Sequence, residues 1–233
     1  MSSDGFTLKE YILNQFAEEK DKFREITRLD DKDRQSYSDL LAKLIDLHEG
    51  SQSDASTEVK GKALENLVAF LLEKSSVFEV YENLRNSTNE IDQLVELNHI
   101  GKRLREFINL PGDIFLSECK NYNKKIGVTW VGKLYTLLAD NHSKIGILFS
   151  YHGLAGSGWA SSVGLTKKIF LMKEKLEEKT YIIDICKSDF EKIEQGHSLL
   201  ELIESKMKAL RLQTNFERFL SEKHPALLKG SNE

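Results

Sequence analysis

The sequence predicts an α/β domain with a mixed central β-sheet flanked by helices, preceded by a short helical appendage. Three observations carry that expectation. Two strand-like runs, Val77 to Leu84 and Glu90 to Asn98, are separated only by the turn residues Arg85-Asn86-Ser87-Thr88-Asn89, as in an antiparallel hairpin. Later runs beginning at Asp113, Lys144 and Tyr181 are separated by segments of helical periodicity, as in crossover connections between parallel strands. One of them, Lys144 to Tyr151 (KIGILFSY), is almost continuously apolar, which marks a strand covered on both faces.

Taken in order, residues 6–29 carry Leu8, Ile12, Leu13, Phe16, Phe23 and Ile26 at loose three-to-four-residue spacing on a charged background, a helical pattern. A second helix is predicted from Ser36 to His48, with Tyr37, Leu40, Leu41, Leu44, Ile45 and Leu47 as its apolar stripe. The polar stretch Gly50 to Ser56 reads as a linker. It divides an N-terminal helical appendage (1–56) from a core (57–212), with a helix end and tail beyond (213–233). Thr57 is placed to cap a third helix running to Lys74. After the hairpin comes an interruption, His99 to Gly112, and then the strand Asp113 to Lys120. Helices are predicted at Lys124–Asp140, Trp159–Glu178, Phe190–Glu194 and Ser198–Leu212, and the segment after Pro225 as a frayed tail.

A chain of 233 residues buries roughly 70% of its unfolded surface or more, so it needs no disulfide or structural metal to hold together. Its two cysteines, Cys119 and Cys186, have no CxxC spacing, and a reducing cytoplasm is the simplest setting. The start MSSDGFTLKEYILNQF lacks the charged-then-apolar pattern of a secretion signal, and no apolar run approaches the ~20 residues that cross a membrane. A net charge of -4 argues against nonspecific coating of nucleic acid. The six histidines lack zinc-site spacing, Gly153 to Gly158 lacks the ending of a P-loop, and Trp130 and Trp159 are expected in the core.

The chemistry concentrates on the strand Asp113 to Lys120. Side chains alternate across a strand, so Leu116, Glu118 and Lys120 share one face and Phe115, Ser117 and Cys119 the other. A bland reading makes this an edge strand whose charged end reaches solvent. A sharper one notes that Asp92, on the preceding strand, can converge with Glu118, and that Glu65 on the third helix can add another oxygen. Two carboxylates about 4 Å apart repel by roughly 4 kcal/mol at an effective dielectric of 20, so their convergence calls for a cation or proton uptake. Lys120 would orient or deprotonate a water and stabilise developing charge. Asp113 is a rival for the role of Asp92, disfavoured because it lies on the same strand as Glu118.

Asp92, then Glu118-Cys119-Lys120 at a strand end, with Glu65 in Lys60-Gly61-Lys62-Ala63-Leu64-Glu65, resembles the PD-(D/E)xK nuclease superfamily and is most similar to its Mrr-like restriction endonuclease branch. The likeness spans residues 57–212 and continues through Lys120-Asn121-Tyr122, the strand Ile145 to Ser150 and the turn into Trp159-Ala160. It implies a restriction-endonuclease-like core and a DNA endonuclease of prokaryotic restriction or anti-phage defence, using Mg2+ (or Mn2+ in its place). Metal ligands would be Asp92, Glu118, the backbone carbonyl of Cys119 and Glu65, with Lys120 serving the water. A homodimer, or a defence partner held by the N-terminal helices, is also implied. Two features depart from the pattern: many Mrr-like proteins carry glutamine where Glu118 stands, and the interruption at His99 to Gly112 is longer than a tight hairpin. A competing reading is a catalytically silent nuclease-like domain that binds nucleic acid or a regulatory partner.

Overall fold

The computed structural model describes residues 7–85 and 90–221. The turn residues 86–89 and the tail after Pro225 lie outside the described residues. Five strands, β1 (Phe78–Arg85), β2 (Glu90–Leu97), β3 (Ile114–Cys119), β4 (Ile145–Phe149) and β5 (Tyr181–Ile185), form one sheet in the order β1-β2-β3-β4-β5. The pairs β1–β2 and β2–β3 are antiparallel, and β3–β4 and β4–β5 are parallel, so the sheet is mixed as the connections predict. Eight α-helices are described: α1 (Leu8–Thr27), α2 (Asp31–Glu49), α3 (Thr57–Lys74), α4 (His99–Arg103), α5 (Val128–Asp140), α6 (Ser162–Leu171), α7 (Lys187–Glu194) and α8 (Leu199–Leu212).

Alternation sorts the core into two layers. Val95, Phe115, Ile147 and Ile183 turn to the face covered by α2, α3, α7 and α8. Leu116, Leu148 and Ile182 turn to the other face, against Val131, Leu134 and Leu138 of α5 and Ile169 of α6. Gly146 permits that second contact, since a Cβ there would lie 2.8 Å from Leu138 Cδ1 and 2.9 Å from Leu134 Cδ2. Each crossover carries the chain from one parallel strand over α5 or α6 to the next, so the loops after β3, β4 and β5 gather at one edge of the sheet.

Local differences from the sequence expectation have physical causes. Ser56, not Thr57, caps α3, its hydroxyl accepting from the Val59 N–H at 3.3 Å. The interruption after β2 closes into α4, where Asn98 Oδ1 accepts from Ile100 N and Gly101 N. Helix α5 starts at Val128, later than expected, because Ile126 pairs with Leu154 in a two-loop bridge. Helix α6 starts at Ser162, behind a Ser161 cap, which leaves Trp159 in the preceding loop. The stretch expected as an appendage is not separate from the core. Tyr37, Leu41, Leu44 and Leu47 of α2 join the same buried cluster as α3, and Tyr37 Oη donates to the Phe190 carbonyl at 2.8 Å.

Candidate active site

β3 is central, with β2 and β4 hydrogen-bonded on either side, which excludes the edge-strand reading. Glu118 is 2% exposed. Its Oε1 lies 2.8 Å from Lys120 Nζ and 3.5 Å from Lys133 Nζ as ion pairs, and neither Oε1 nor Oε2 accepts a hydrogen bond among the described residues. The antiparallel register sets Gln93 opposite Ser117, so the next residue pair places Asp92 beside Glu118. Lys120 Nζ reaches Asp92 Oδ2 at 3.3 Å and thus bridges the two carboxylates. Asp92 is 42% exposed at the side chain, so the buried glutamate opens to solvent through its partner.

Burial by itself lowers an ammonium pKa, but the Glu118 carboxylate, with Asp92 behind it, outweighs that and holds Lys120 above the usual lysine range. Lys120 is therefore a proton-bearing cation here, not a base. Trp130, one turn into α5, braces the group: Lys120 Nζ sits 4.6 Å and Lys133 Nζ 5.1 Å from its ring centroid. Lys133 and Trp130 were not among the sequence candidates. Their i, i+3 spacing on the helix that follows the Glu-Cys-Lys strand is the signal that points to them.

Glu65 does not join this pair. It is exposed on α3, which covers the opposite face of the sheet, and pairs with Lys62 at 3.2 Å. Alternation explains the separation, because α3 meets Phe115 and Cys119 while Glu118 turns toward α5. Among the described residues no group of three His, Cys, Asp or Glu side chains is assembled to hold a metal. The Cys119 thiol packs on the α3 side, and burial, then Glu65 and Asp92, push it far above the ordinary thiol range. It is no nucleophile. Asp113 stands at the far end of β3, where Arg105 Nε holds it at 3.1 Å.

Behind the strand end, Asn121 is buried and donates to the Lys60 carbonyl, which ties the loop to α3. Lys60, 2% exposed, donates to the Ser53 carbonyl at 2.8 Å and to Asn123 Oδ1 at 2.9 Å. His48 stacks on Tyr151 with ring centroids 3.8 Å apart. Burial, then Lys60 and His152, pull its pKa down to about 4. A depressed histidine contributes stability that is complete above its unfolded pKa of about 6.5 and is lost as pH falls toward the folded value. Denaturant titrations should therefore show stability falling between pH 6.5 and 4, by up to about 2 kcal/mol after allowing for solvent around the ring. His48→Phe, which keeps the stack, should flatten that slope, and an unchanged slope would contradict the assignment.

Trp159, expected in the core, is 68% exposed in the loop between β4 and α6. A cavity of about 730 Å³ lies elsewhere, between α1 and α8, with Arg28, Glu204 and Tyr181 in its wall and neither Glu118 nor Lys120. Comparison with known protein families, with curated proteins and with solved structures returns no match.

Proposed function

We propose that this chain is a metal-dependent endonuclease that hydrolyses DNA phosphodiester bonds at the β3 edge, with a restriction-endonuclease-like core. The observation that supports the reading is Glu118: a carboxylate 2% exposed, neither oxygen in a hydrogen bond among the described residues, beside the half-open Asp92 and a lysine on the same face. A buried ionic cluster of this kind adds little net stability compared with apolar residues of the same volume, so its presence points to chemistry. Glu118 and Asp92 would hold a Mg2+ or Mn2+ ion, with the Cys119 carbonyl as a further oxygen at the strand end. Two protein carboxylates fit such an ion without Glu65, because water and substrate phosphate complete its shell. When bound, the ion would neutralise phosphate oxygens and supply a hydroxide-like nucleophile.

Lys120 contributes in either protonation state. As an ammonium it orients the attacking water and neutralises charge developing on the phosphoryl oxygens. A cation held by both carboxylates would offset the attraction that raises Lys120, leaving burial and the cation's own charge to lower it toward the range of a general base. Lys133 stands beside the same carboxylate, half-exposed, where an incoming phosphate meets it. Prokaryotic restriction or anti-phage defence in the cytoplasm is the setting the resemblance suggests. A second copy or a defence partner would dock on α1, whose Leu8, Tyr11 and Leu13 are exposed.

One observation favours a second reading, a catalytically silent nuclease-like module that binds nucleic acid or a regulatory partner. Lys120 and Lys133 already balance the charges of Asp92 and Glu118, so the cluster is self-contained without a cation. Calorimetric titration of Mg2+ and Mn2+ in the presence of plasmid DNA, with cleavage followed on gels, separates the two. Heat and nicking that EDTA abolishes support the nuclease; a silent titration with bound, intact DNA supports the module.

A further inference from the structure

The loop from β4 to α6 holds its backbone tightly and sends its largest side chain outward. Ile126 N donates to the Gly153 carbonyl at 2.8 Å, and Ala155 N returns a bond to the Ile126 carbonyl at 2.9 Å, so this loop is stitched to the one that follows Lys120. Gly156 takes φ +71° to turn the chain. Ser161 Oγ and N both donate to the Gly158 carbonyl, at 2.6 and 3.1 Å. A Cβ on Gly164 would lie 2.3 Å from the Gly158 oxygen and 2.4 Å from the Trp159 oxygen, so α6 approaches the loop as closely as a glycine allows.

On this fixed base the Trp159 indole stands 68% exposed, with Lys168 Nζ of α6 4.1 Å from its ring centroid. A single exposed apolar ring is ordinary on a protein surface; what sets Trp159 apart is the charge around it and the fixed loop that carries it. Trp130 is different, half-buried between Lys120 and Lys133. The surroundings of Trp159 are cationic: Lys168 backs the ring, while Lys124 and Lys125 are exposed on the loop bridged to it. An aromatic face with lysines beside it is the arrangement that stacks a base while neutralising its phosphates.

We infer that Trp159 is a stacking platform for an unpaired base of the DNA strand that runs across the C-terminal edge of β3 and β4, with Lys168, Lys124 and Lys125 neutralising its backbone. The inference rests on the nuclease reading for the direction of the strand, and binding measured without metal separates the two. The probe is labelled oligothymidylate in EDTA, followed by fluorescence anisotropy, with an abasic strand of equal length as control. Trp159→Ala should weaken binding about 10-fold or more, Trp159→Phe should stay within about 3-fold of the parent, and the abasic strand should not distinguish the three proteins. An exposed loop side chain leaves the fold intact, which thermal melts of both variants will check. Equal affinity of Trp159→Ala and the parent for oligothymidylate overturns the inference, and leaves the nuclease reading standing if cleavage persists. Tryptophan-dependent binding without any cleavage supports the inference and removes the nuclease. A blue shift of tryptophan emission on anionic vesicles, with no response to the oligonucleotide, overturns it in favour of a membrane surface.

Discussion

Glu118→Ala should lower metal-dependent DNA cleavage by about 10²–10³-fold or more while the protein remains folded. Glu118 has the only fully buried carboxylate of the Asp92–Glu118–Lys120 group, and in the proposed site its oxygens, neither in a hydrogen bond among the described residues, would be ligands that the exposed Asp92 could not replace. Removing it also removes the main attraction that holds the Lys120 ammonium up, so residual activity should shift to a different pH range. Lys120→Ala should fail just as completely for a different reason, leaving Glu118 buried with only Lys133, 3.5 Å away, as its counter-charge. Some loss of stability should accompany it. Circular dichroism on both variants separates a chemical defect from an unfolded one. Full cleavage by both purified proteins would remove these residues from the site.

Lys206→Met should cost about 3–5 kcal/mol of unfolding free energy, the largest stability effect expected of a single change in this chain. Lys206 Nζ lies 2.6 Å from Asp189 Oδ2 and 2.7 Å from the Asp184 carbonyl, and Asp189 is 0% exposed. Without the ammonium, that carboxylate keeps only the Cys186 N–H at 2.8 Å, and the start of α7 loses its anchor to α8. Burial alone would lower Lys206, but Asp184 and Asp189 outweigh it and hold it above the usual lysine range. The sign follows: this stabilisation is complete below about pH 10 and is lost as pH rises through the raised folded value. The double variant Asp189→Leu, Lys206→Met should recover most of the loss, since it leaves no lone buried charge. Equal damage in the single and double variants, read from urea unfolding, would contradict this.

Much of the fold was legible because it follows from periodicity. The hairpin, the two crossovers and the doubly covered β4 were written in alternation, helical spacing and the apolar run at residues 144–151. The pairing of Asp92 with Glu118 and Lys120 was legible for the same reason, since period two fixes which side chains share a face. Which helix covers that face is a tertiary fact with no periodic signature. Glu65 was therefore counted with the pair although α3 lies across the sheet from it, while Lys133 of α5 went unnamed and Trp130 was assigned to the core. Trp159 illustrates a second limit. Its residue type argues for burial, and only the Ser161 cap, two residues further on, leaves it outside α6 and in solvent. The same holds for α2, whose stripe was readable but whose buried Tyr37 finds its hydrogen-bond partner, the Phe190 carbonyl, 153 residues away.

A crystal soaked with Mn2+ and measured for anomalous scattering decides whether Asp92 and Glu118 serve as ligands to a catalytic cation. The expected result is an anomalous peak beside the carboxylates of Glu118 and Asp92, with the Lys120 ammonium displaced from its bridging position. A clean difference map, with Lys120 still spanning the two carboxylates, would contradict it.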